Sequence, residues 1–141
     1  GMGFLLGLGL GGLTALAYAL LLAGFESRWP GASALIPDLP PPILGLWLGI
    51  GVILAPWVEE HFFRAALLDA MAARWGRSRA VVLSAALFAL GQGRPLLLLP
   101  VFGLGLALGG LRLRRGTWHA AAWAHMGINL ALGGLAWYLL I

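Results

Sequence analysis

Residues 43–75 read ILGLWLGIGVILAPWVEEHFFRAALLDAMAARW. One straight crossing of a hydrocarbon layer about 30 Å thick needs about 20 apolar residues at 1.5 Å each, and this stretch is longer. Pro56 lies inside it and offers a kink point, because proline removes a helical hydrogen bond and crowds the preceding turn. The stretch also carries Glu59, Glu60, His61, Arg64 and Asp69 among apolar neighbours. A charge near a bilayer centre costs at least about 2.5 kcal/mol on insertion scales, so such groups face a bundle interior and mark function. The segment predicts a kinked membrane helix with a polar site on it.

Composition carries that reading to the whole chain. Of 141 residues, 61% are hydrophobic and only 10% are Asp, Glu, Lys or Arg; soluble domains carry about 25%. So few charges cannot cover a soluble sphere, and lipid is the expected solvent. Apolar runs at residues 2–25, 43–75, 80–93, 96–111 and 117–141 predict an all-α integral membrane protein. Its architecture would be a bundle of about five transmembrane helices with a kinked second span. The expected unit is a single domain over residues 1–141, with a motif-bearing core at about residues 43–135. Gly1 ahead of Met2 reads as a residue left by tag removal, and the first run is too long and continuous for a cleaved signal peptide.

All nine basic residues are arginine. Arg74, Arg77 and Arg79 fill one short loop, and Arg112, Arg114 and Arg115 fill another. Alternating spans put both loops on one side, which the positive-inside rule makes cytoplasmic. Glu26, Arg28 and Asp38 fall on the other side with Arg94, so the N-terminus is cytoplasmic and a bacterial inner (cytoplasmic) membrane is the expected setting. Arginines dispersed over loops do not form a nucleic-acid face, and no nucleic-acid partner is expected. Cysteine is absent, so no thiol nucleophile or disulfide exists. Glycine-rich runs at 7–12 and 103–110 permit close helix approach, within the chain or in a homo-oligomer.

The remaining polar residues in apolar runs are few. Glu60 and Arg64 are i,i+4 neighbours, so the guanidinium can neutralise Glu60. Glu59 lies about 100° away around the helix and lacks that partner. Two adjacent carboxylates in unlike environments suit a general base beside a structural helper. An ion-pair knot holding a kinked helix is the alternative. His125 and Asn129 are also i,i+4, on one helix face, and together can donate two hydrogen bonds to one oxygen. A core histidine with satisfied hydrogen bonds is the plainer reading. His119 neighbours an arginine cluster and suits an interface. Gln92, the one glutamine, ends an apolar helix. Consecutive Glu59, Glu60 and His61 diverge around a helix, so no metal and no cofactor are expected.

These pieces, in this order, resemble the CPBP (ABI) family, intramembrane endopeptidases related to the type II CAAX prenyl protease and to bacteriocin-processing proteins. The family's Glu-Glu-x-x-x-Arg reads Glu59-Glu60-His-Phe-Phe-Arg64, and its His-x-x-x-Asn reads His125-Met-Gly-Ile-Asn129. Its Phe-x-x-x-His reads Phe88-Ala-Leu-Gly-Gln92, with glutamine for histidine. The resemblance implies a metal-independent, glutamate-dependent hydrolase acting on a peptide or protein among membrane lipids. Glu59 would activate water, Arg64 would hold Glu60, and His125 with Asn129 would stabilise the oxyanion. Gln92 can orient a water but does not titrate near neutral pH. A catalytically silent relative that binds a peptide or partner protein is the second reading. A transporter would need polar lining across the bilayer, which the spans lack.

Overall fold

The computed structural model describes Leu5, Gly9 and residues 40–93 and 95–140. The expected first span and its loop, apart from those two residues and the loop's last prolines, and Arg94 lie outside the described residues. Four helices and no strands are present among them. Helix α1 covers residues 41–75 without a break, and Gly76 at φ 81° turns the chain into α2, Arg77–Gly91. A short 3₁₀ turn, Pro95–Leu97, leads into α3, Leu98–Arg115. Gly116 caps α3 in the left-handed conformation at φ 71°, its N–H bonded to Arg112 O, and α4 spans Trp118–Leu140. Only glycine takes that conformation without strain, which is why the turn sits there.

The kink expected at Pro56 takes a different form. Two π-helical segments, Ile50–Leu54 and His61–Leu67, alternate with α-helical ones along α1. Pro56 sits in the first turn of Ala55–Glu60, just after the first π segment, where Ala55 N–H reaches back to Ile50 O. The widened turn has already shifted the pairing, so the missing proline N–H needs no sharp break.

Small residues bring the helices together. A Cβ placed on Gly105 would stand 2.9 Å from the Cα and Cβ of Ala85, so α3 touches the α2 backbone there. Gly109, one turn on, packs on Val81 and Leu68. Gly103 and Gly110 have nothing within 4 Å, so only part of this run is a packing seam. Arg112 pairs with Asp69 at 2.8 Å, tying the last turns of α3 to those of α1 and setting the turns at Gly76 and Gly116 at one end.

Among the described residues no helix is long and apolar enough to cross a membrane. The two π-helical segments divide α1 into pieces of at most nine residues, α2 has only 15 residues, and α3 ends in three arginines. Large apolar side chains nevertheless point outward, among them Leu46, Ile53, Phe62, Leu90 and, at 79% exposure, Leu99. Among the described residues the buried polar ones are Glu60, Arg64, Ser84 and His125, and all four meet in one place.

Candidate active site

The site is built on the junction where α-helical Ala55–Glu60 passes into π-helical His61–Leu67. Glu60 and Arg64 are fully buried, with Arg64 Nε 3.0 Å from Glu60 Oε2. The guanidinium lies 5.1 Å from the Phe88 ring centre and 5.9 Å from that of Phe63. Its Nη1 donates to Ser84 Oγ at 3.1 Å, and the same hydroxyl donates to Phe63 O at 3.1 Å. The i,i+4 spacing thus delivers the ion pair it predicts.

Helix α4 closes the pair from the other side. His125 Nδ1 stands 3.1 Å from Glu60 Oε1. A carboxylate only accepts, so Nδ1 carries the proton. The ring's edge meets Phe88, centroids 5.7 Å apart. Its other nitrogen, Nε2, faces Glu59 Oε2 at 3.9 Å. That gap exceeds a direct hydrogen bond yet lets one oxygen reach both groups.

Glu59 is partly exposed, unlike its neighbour. The sequence leaves it without a partner; the structure brings Gln92 Nε2 to 3.5 Å from its Oε1, at the edge of hydrogen-bond range. This places the second-motif position beside the first. Asn129 shares the α4 face with His125, but one amide N–H donates to Gly51 O at 3.0 Å. In these contacts Nδ1 of His125 serves Glu60, and one N–H of Asn129 serves the α1 backbone.

The other histidines lie elsewhere. His61 packs edge-on to Trp118, centroids 5.0 Å apart, and His119 stacks on Trp118 at 4.1 Å with Nδ1 2.8 Å from Thr117 Oγ1. Asp69 is held by Arg112. Among the described residues no three His, Cys, Asp or Glu side chains are arranged to hold a metal ion. Sequence reasoning missed Ser84. Its signal was present but quiet: a single hydroxyl, one helical turn before Phe88, in an otherwise apolar run.

The model of the type II CAAX prenyl endopeptidase Rce1-like proteins matches residues 41–131, from the first turn of α1 into α4. No curated protein and no solved structure matches the chain.

Proposed function

The chain belongs to the type II CAAX prenyl endopeptidase Rce1-like family, and from that premise we propose that it is a glutamate-dependent intramembrane endopeptidase. The observation that carries this reading is the 3.9 Å gap between Glu59 Oε2 and His125 Nε2. Water in that gap would give a proton to Glu59 and attack a peptide carbonyl. His125 is oriented by Glu60 through Nδ1, much as a buried carboxylate orients a catalytic histidine. When that proton passes from Glu59 to His125 Nε2, the imidazolium completes an alternating row, Glu59 minus, His125 plus, Glu60 minus, Arg64 plus, that sums to zero, and the proton goes to the departing amine when the C–N bond breaks. That row supports stabilisation of the tetrahedral oxyanion by His125. Asn129 has a second amide N–H for the same face while its first holds α1.

Gln92 sets the speed. Its amide can orient the water beside Glu59 but exchanges no proton at neutral pH. Lacking one acid–base partner lowers rates by about 10² to 10⁴. We place the helices in a lipid bilayer, the bacterial inner membrane, with the N-terminus and the arginine-rich turns cytoplasmic. Outward Leu46, Ile53, Leu90 and Leu99 support that placement, as does Trp75 beside Arg74 at the turn. The substrate is then a peptide or protein segment presented from the membrane. Protein reconstituted in liposomes with a membrane-peptide library should cleave, and Glu59→Ala should not; equal cleavage by both overturns the reading.

Gln92 also favours a second reading, a silent relative that binds a membrane peptide or partner protein. Gln92→His separates the two. Cleavage that rises over a measurable parent supports the enzyme, whereas a parent and variant that both fail to cut support the binder.

A further inference from the structure

We propose that Ser84 is a positioning residue of this site, acting through Arg64 and Glu60 on His125. The proposal rests on the reading above. Ser84 Oγ accepts from Arg64 Nη1 and donates to Phe63 O, each at 3.1 Å, and the side chain is buried in α2. A hydroxyl is the small group that does both at one atom. Its acceptor is unusual: Phe63 lies in the π-helical segment, and Phe63 O already takes the N–H of Leu68. Ser84 uses the second lone pair and so ties the guanidinium to the widened backbone turn that carries it.

Few other contacts orient Arg64. Nε meets Glu60 Oε2 in an ion-pair contact that is not aligned as a hydrogen bond, and buried Nη2 has no hydrogen-bond partner. The guanidinium carbon also lies over the Phe63 and Phe88 rings, 5.9 and 5.1 Å from their centres, contacts that offer no hydrogen-bond acceptor oxygen. Without the hydroxyl, Nη1 loses its acceptor and the guanidinium turns about its contact with Glu60. Glu60 follows, and with it the Oε1 contact that aims His125 Nε2 at Glu59. Ser84 touches no reacting atom, so its effect falls on turnover rather than on substrate affinity.

The test compares Ser84→Val with Ser84→Thr, which match in shape and differ in the hydroxyl. The protein has three histidines, so ¹⁵N-histidine NMR in micelles resolves His125, identified by the signal lost in His125→Gln. The expected result is a shifted His125 Nδ1 resonance in Ser84→Val and the parent resonance in Ser84→Thr. Turnover should fall about 10- to 100-fold in the valine variant, with KM within about twofold, and recover in the threonine variant. Ser84→Ala, smaller than either, is read the same way should valine fail to fold. A folded valine or alanine variant with an unmoved His125 resonance overturns the proposal. If the resonance moves and returns as expected but no variant cleaves peptide, the positioning role stands and the endopeptidase reading falls.

Discussion

Glu59 and Glu60 differ by one position and by almost everything else. Glu60 is sealed between Arg64 and His125, and Glu59 opens toward Gln92. Removing one partner of a buried ion pair leaves an uncompensated charge and costs about 3–5 kcal/mol. Arg64→Met should therefore lower stability on that scale in detergent unfolding. Glu59→Gln should change stability by less than about 0.5 kcal/mol, as partly exposed positions do, while abolishing cleavage. Equal destabilisation by the two would contradict the division of labour. Glu59, Glu60, Arg64, His125 and Asn129 were legible because polar side chains are so scarce in this chain, whereas Gln92 gained its role only from the family resemblance and Ser84 was missed. Partners were less legible. That Asn129 bonds Gly51, 78 positions away, is a tertiary fact with no local signal.

At the scale of elements, the departures from expectation concentrate in α1. A periodicity of 3.6 assumes α-helix throughout, and two π segments shift the phase, so reading faces across residues 50–67 misplaces side chains beyond each widened turn. Proline drew attention to the first segment, and nothing in His61–Leu67 announces the second. The α2–α3 contact gives a sharper test. Gly105→Ala forces a methyl into the Ala85 backbone and should destabilise by about 1–3 kcal/mol. Gly103→Ala meets nothing within 4 Å and should stabilise by about 0.5–1 kcal/mol, by helix propensity. Thermal unfolding of the two variants should move in opposite directions.

Across the whole molecule, composition and arrangement point the same way. A chain with 10% charged residues puts arginines at one end, buries Glu60 and Arg64, and leaves leucines outside. The helical class, the bounds of α1 and α4 to within two residues and the two arginine-rich turns followed from hydropathy and alternation; the π-helical segments inside α1 did not, because hydropathy carries no signal for a widened turn. Native cysteine is absent, so one engineered thiol reports topology cleanly. Ser78→Cys in spheroplasts should react with a membrane-impermeant maleimide only after lysis, and labelling of intact spheroplasts would reverse the orientation. The most direct test remains the chemistry at Glu59. Cleavage of a membrane peptide by liposome-reconstituted protein should be measurable in the parent, larger in Gln92→His and absent in Glu59→Gln. Undiminished cleavage by Glu59→Gln would contradict the account.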